Sequence, residues 1–165
     1  MRLRRQSTTF LAALLISTAA PLIVNLSVIS LSMEVLAETK DSRKQKADRL
    51  IEQGNKQLDT SQFQAALSLY QQALKIYQSI GDRNGEGDSL GNLGVVYRSL
   101  GEYKKAINYH QQSLEIKRQL GDRNGEGNSL GNLGLVYDSL GEYKKAINYH
   151  QQSLEIKRQL GDRNG

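Results

Sequence analysis

The residues of this chain best suited to acid–base or metal chemistry are two histidines, His110 and His150. They stand one 40-residue period apart, and neither has a second ligand at i+3 or i+4. Both therefore read as histidines packed in a helical core. The glycines of Gly85-x-Gly87-x-x-x-Gly91 do not make a dinucleotide fingerprint: the third is one residue late and no strand precedes them. No Lys-Ser/Thr follows, which also excludes a phosphate loop. The acidic residues are scattered and form no catalytic carboxylate pair. There is no cysteine, so disulfides, thiolate nucleophiles and thiolate zinc sites are excluded. With no nucleophile–base set, the reading is a non-enzyme without metal or cofactor.

What organises these residues is repetition. Gly81–Leu120 is followed by Gly121–Leu160, identical at 37 of 40 positions. The mismatches are Asp88/Asn128, Val95/Leu135 and Arg98/Asp138. A divergent copy precedes them: Leu50, Gly54, Phe63, Ala66 and Leu67 align without a gap on Leu90, Gly94, Tyr103, Ala106 and Ile107. A fixed period of this length marks a solenoid.

Leu90, Leu93, Gly94 and Tyr97 recur at i, i+3, i+4 and i+7, one face of a helix. Tyr103, Ala106, Ile107, His110 and Leu114 form a second such run, and Gly101 breaks the chain between them. The unit is an expected helical hairpin, helix A over 83–99 and helix B over 102–119. Asp82 is the expected N-cap, Glu86 suits the first turn, and Glu115 can pair with Arg118 three residues on. Four glycines weaken helix A by roughly 0.8–1.0 kcal/mol each against Ala, so packing must offset them. Gly94 and Ala106 are expected where the hairpin helices approach closely. Tyr103 and Tyr109 read as packing and surface residues, not platforms for bases.

Leu90-x-x-Leu93-Gly94-x-x-Tyr97, then Gly101-x-Tyr103-x-x-Ala106, then Ser113-Leu114, resembles the tetratricopeptide repeat. The 40-residue period is similar to the longer variant of kinesin light chains and many bacterial arrays. Leu90 stands where that family often has Trp. His110 and His150 replace an aromatic that Tyr70 keeps, and Ser113 and Ser153 replace an Ala that Ala73 keeps. The resemblance implies an all-α, right-handed superhelical solenoid of antiparallel hairpins. The expected segments are 41–80, 81–120 and 121–160, with 161–165 the start of a fourth unit.

With Asp88 at zero on a helical wheel, Val95 lies at about −20°, Arg98 at about −80°, Asn92 at about 40° and Ser99 at about 20°. Leu90, Leu93, Gly94 and Tyr97 point the opposite way, at about 140° to 240°. The face that differs between copies is the one stacking does not need. By the resemblance, that face lines a concave groove that binds protein or peptide. Asn92 and Asn132 would bond an extended ligand backbone, since an amide offers both donors and an acceptor. Gly91 and Gly131 would leave room beside them. Asp88, Asn128, Val95, Leu135, Arg98, Asp138, Ser99 and Ser139 complete the expected groove set, with Arg98 and Asp138 giving successive segments opposite charge.

Residues 1–37 read as an export signal. Arg2, Arg4 and Arg5 form the charged start, Phe10–Met33 the apolar run, and cleavage is expected after Ala37. An uncleaved anchor is the alternative, which Pro21 and Asn25 weaken by disturbing the helix. Either way the array is expected outside: periplasm, cell envelope or extracellular space. Residues 38–46 form a polar tether running into the first helix.

The net charge of +5 is modest. Residues 38–165 carry 19 Lys/Arg and 16 Asp/Glu, without a basic stripe interleaved with aromatics, so nucleic acid is not an expected partner. A membrane is a partner only if the leader stays uncleaved. The last helix B has no helix A after it, so its apolar face is an expected site of self-association. Three functions are open: an exported scaffold binding protein or peptide, the recognition arm of a larger protein with a C-terminal effector such as a protease, and a self-assembling structural array.

Overall fold

The computed structural model describes the backbone of residues 19–162 and the side chains of residues 39–161. The charged start, the first part of the apolar run and the last three residues lie outside the described residues. The chain divides into two compact units, 1–42 and 43–165, and the stacked hairpins belong to the second.

The described elements are six helices: α1 (Ala19–Asp59), α2 (Phe63–Ile80), α3 (Arg83–Ser99), α4 (Tyr103–Gln119), α5 (Arg123–Ser139) and α6 (Tyr143–Asp162). They pair as α1–α2, α3–α4 and α5–α6, the three expected hairpins, and each later pair packs on the one before. Helix α1 begins further upstream than the tether reading implied. It runs through residues 38–46 and also through Pro21 and Asn25 without a break. Among the described residues, no helix is long and apolar enough to cross a membrane.

Local chemistry sets the boundaries. The Asp82 carboxylate accepts from the Gly85 N–H at 2.9 Å, and Asp122 accepts from Gly125 at 2.8 Å, the expected caps of α3 and α5. The B-to-A and A-to-B turns share one device. Gly101 adopts φ 74°, its N–H bonds the Arg98 carbonyl at 3.0 Å, and the Glu102 N–H bonds the Tyr97 carbonyl at 2.8 Å. These bonds satisfy the last carbonyls of the helix. The first repeat places Ser61 at the same point, at φ 58°.

The helix-A glycines are offset by packing. A Cβ on Gly94 would lie 2.5 Å from the His110 ring, and one on Gly87 would lie 3.1 Å from the Ile116 side chain. Gly85 is covered by the Tyr77 ring of the preceding repeat. Ala106 is fully buried between Tyr97 of its own hairpin and Val136 of the next. Leu93, Leu130, Leu133, Val96 and Val136 are buried, each stabilising the stack by roughly 1.5–3 kcal/mol.

The expected Glu115–Arg118 pair is not what forms. Arg118 Nε donates to Glu126 of the next repeat at 2.9 Å, while Glu115 accepts from Gln119 at 2.9 Å. Once α5 is docked, its Glu126 presents an acceptor that also binds Arg123, and this inter-repeat contact outcompetes the local one.

Candidate groove across the A helices

The floor of the site comes from helix A and its wall from helix B. On α3, Asp88, Asn92 and Val95 lie one or two turns apart and face the same way; on α5, Asn128, Asn132 and Leu135 do the same. Together they line one groove of about 720 Å³. Gly87, Gly91 and Gly131 line it without side chains, and Ile51 of α1 lines it too. No described residue hydrogen-bonds the side-chain amides of Asn92 or Asn132, so their donors and acceptors face the groove unused.

Six of the ten residues expected from the sequence are thus brought together. The other four are not among the lining residues. The Ser99 and Ser139 hydroxyls turn back to the Val95 and Leu135 carbonyls, at 3.1 and 2.9 Å. This is the local competition a mid-helix serine offers its own backbone. Arg98 lies near enough to His110 to oppose its protonation. The Asp138 carboxylate accepts from His150 Nε2 at 3.1 Å.

The two histidines have identical flanks and different fates. His110 is 0% exposed, and neither ring nitrogen has a hydrogen-bond partner. Burial first, and the Arg98 charge second, push its pKa down to about 4, so it is a neutral packing residue. His150 departs from the packed-core expectation. Its side chain is 40% exposed and lines the groove. Helix α5 covers α4, whereas no described helix covers α6, and the Arg98/Asp138 change supplies His150 with a partner.

The wall holds what sequence reasoning missed. Lys117 is buried on α4, with its Nζ 2.5 Å from Asp88, 3.1 Å from Asp122 and 2.7 Å from the Asn84 amide oxygen. Burial alone would lower its pKa; the bonds to Asp88 and Asp122 outweigh that and raise it. For Asp122, the Gly125 N–H and then Lys117 hold the carboxyl below its usual range despite partial burial. Ser113 bonds Ser129 at 3.2 Å, and Ser153 donates to the Gly127 carbonyl at 2.7 Å, which explains both departures from Ala. The signal was present: His110, Ser113 and Lys117 fall at i, i+3 and i+7, so a lysine stands on the buried stripe of α4. Among the described residues, no three His, Cys, Asp or Glu converge as a metal site.

A family profile described as Tetratricopeptide repeat matches residues 56–119 and 117–159, more than half of the chain. The chain belongs to the tetratricopeptide repeat family. No curated protein matches it closely enough to count as a relative. The tetratricopeptide repeat domain of Arabidopsis FLU is similar in structure, with a TM-score of 0.67 and 24% identity over 71% of this chain and 98% of that one. Aspartyl phosphate phosphatase F from Bacillus subtilis reaches 0.70 at 19% identity, over 72% of this chain and 31% of that one. BtubC (BKLC) from P. vanneervenii reaches 0.66 at 22% identity, over 80% and 55%. The chain therefore spans less than two thirds of the latter two proteins, and identities this low show the shared fold alone. A tetratricopeptide fold is that of a protein–protein interaction scaffold, as the groove geometry also suits.

Proposed function

We propose that this chain is an exported tetratricopeptide scaffold that binds an extended segment of a protein or peptide along the concave face of its A helices. One observation carries the reading: Asp88, Asn92 and Val95 share a single groove with their counterparts Asn128, Asn132 and Leu135. Amides at the 40-residue repeat can bond successive stretches of ligand backbone, and the apolar Val95 and Leu135 can take side chains between them. Export is supported by the charged start and apolar run of the sequence. N-terminal sequencing of the exported protein checks it; a start at Met1 contradicts cleavage after Ala37.

The groove is tested with a photo-crosslinking residue placed at Leu135, and separately at Lys144, which is exposed on α6 away from the groove lining. The expected result is a crosslinked partner from the cell envelope at Leu135 only. Equal crosslinking at both positions overturns the assignment.

A second reading has its own observation. Leu114 is 7% exposed beneath α5, whereas its counterpart Leu154 is 49% exposed on α6, beside the exposed Tyr143 and Ile147. This apolar face suits association, with a second copy or with a further helix of a larger protein. Sedimentation across a concentration series tests the homotypic case: a monomer throughout excludes it.

A further inference from the structure

Residues 103–120 of the α4 segment and 143–160 of the α6 segment have the same sequence. The fold therefore displays what docks on that sequence, because α5 lies on α4. Asp122 and Glu126, one turn apart, take Lys117 and Arg118 at 3.1 and 2.9 Å. Gly125 makes room for the Lys117 stem, since a Cβ there would lie 2.6 Å from it. Ser129 bonds Ser113 at 3.2 Å. Leu133 packs with Leu114 and Val136 with Ala106, and all four are buried.

On α6 the same stripe is open. Tyr143 is 66% exposed, Ile147 57% and Leu154 49%, and Lys157 and Arg158 are exposed beyond them. The chain does not turn back over this stripe at the matching point. Helix α4 ends at Gln119 and Gly121 turns the chain at φ 69°, whereas α6 continues as helix to Asp162. A second copy offers no helix like α5 either. At the positions of Glu126, Ser129, Leu133 and Val136, its α1 carries Lys46, Arg49, Gln53 and Lys56, all exposed. Three of these are cations that would meet Lys157 and Arg158, so charge opposes head-to-tail growth of α6 onto α1. Its α6 follows the N-terminal Glu142 with the buried Ala146, where α5 has Glu126.

We propose that α6 is the docking face for one helix of a partner protein, and that this helix copies the contact face of α5. It opens with two carboxylates four residues apart, sets small residues at the positions of Gly125 and Ser129, and ends on aliphatics at those of Leu133 and Val136. The carboxylates meet Lys157 and Arg158. The small residues let the two helices approach as α5 and α4 do, and the aliphatics cover Leu154 and Ile147. The site is a second one, separate in kind from the groove: it takes a helix rather than an extended segment. The inference rests on the association reading of this face given above and not on the groove.

The test uses the full chain and fluorescein-labelled helical peptides, acetylated and amidated, read by fluorescence anisotropy. One peptide keeps Asp122, Gly125, Glu126, Ser129, Leu133 and Val136 of α5 and fills the other positions with Ala, Gln and Lys, which favour helix. The control peptide carries the Lys, Arg, Gln and Lys of α1 at the last four of those positions. The α5-type peptide is expected to bind and the α1-type peptide is not. Leu154→Asp should weaken binding by about tenfold or more, the effect of one buried aliphatic side chain. Arg158→Gln should weaken it by roughly three- to fivefold, the effect of one exposed ion pair. That second effect should vanish for a peptide with Gln at the Glu126 position. Both substituted residues are exposed, and circular dichroism checks that the fold is kept. Equal binding of the two peptides, or binding that ignores Leu154→Asp, overturns the inference. So does no binding at all, and sedimentation then separates it from the reading beneath it. A dimer that Leu154→Asp dissolves puts a second copy on this face and leaves the association reading standing. A monomer throughout removes both.

Discussion

Lys117 Nζ on α4 lies 2.5 Å from Asp88 Oδ1 on α3, and the same ammonium reaches Asp122 at 3.1 Å, where the next repeat begins. One buried lysine therefore ties the two helices of its own hairpin to the cap of the following one. Lys117→Met should destabilise the chain by about 1–2 kcal/mol, the cost of partners left to find water. Asp88→Asn should cost less than about 1 kcal/mol, because Asp88 is half exposed and Lys117 keeps Asp122. Urea midpoints give both values. The bonds raise the Lys117 pKa, so their stabilisation is whole at neutral pH and fades as pH rises through the raised value. The gap between wild type and Lys117→Met should narrow in alkali.

His110 sets an acid limit. Its folded pKa of about 4 lies below the ordinary value of about 6.5, so the unfolded chain binds the proton first as pH falls. The native state should lose stability between about pH 6.5 and pH 4, by at most about 3 kcal/mol from this residue. His110→Phe should flatten that part of the pH–stability curve. An unchanged slope means the histidine is not neutral and buried in solution.

The helix-A glycines should divide by what they face. Gly94→Ala drives a Cβ into the His110 ring and should cost about 1–3 kcal/mol. Gly91 faces only the Ser113 hydroxyl, at 3.4 Å, so Gly91→Ala should be neutral or stabilising by up to about 1 kcal/mol. Thermal melts of the two single variants separate these outcomes.

Ser61 occupies a left-handed conformation that the later repeats give to Gly101 and Gly141. Ser61→Gly should stabilise the chain by roughly 1 kcal/mol, by relieving the clash between Cβ and backbone. A lowered melting temperature would show that the serine conformation carries no strain.

The stack was legible because periodicity and glycine punctuation are local: helices 83–99 and 102–119 emerge as Arg83–Ser99 and Tyr103–Gln119. A helical wheel also sufficed to place Asp88, Asn92 and Val95 on one face. It failed at Ser99 and Arg98, where the wheel fixes direction but not depth along the groove, and where the Ser99 hydroxyl has a closer carbonyl to bind. Lys117 was out of reach for a different reason. Its partners come from α3 and from the start of the next repeat, and no short-range spacing encodes a contact between hairpins. The Arg118–Glu126 bond escaped in the same way.

The central claim is that Asn92 and Asn132 act together on one bound segment. Wild-type chain and Asn92→Ala/Asn132→Ala chain, matched for folding by circular dichroism, are used as baits in a cell-envelope extract and compared by quantitative mass spectrometry. The account predicts a partner retained by the wild type and depleted about tenfold or more by the double variant, the size of two lost polar contacts. Identical partner sets at equal abundance would contradict it.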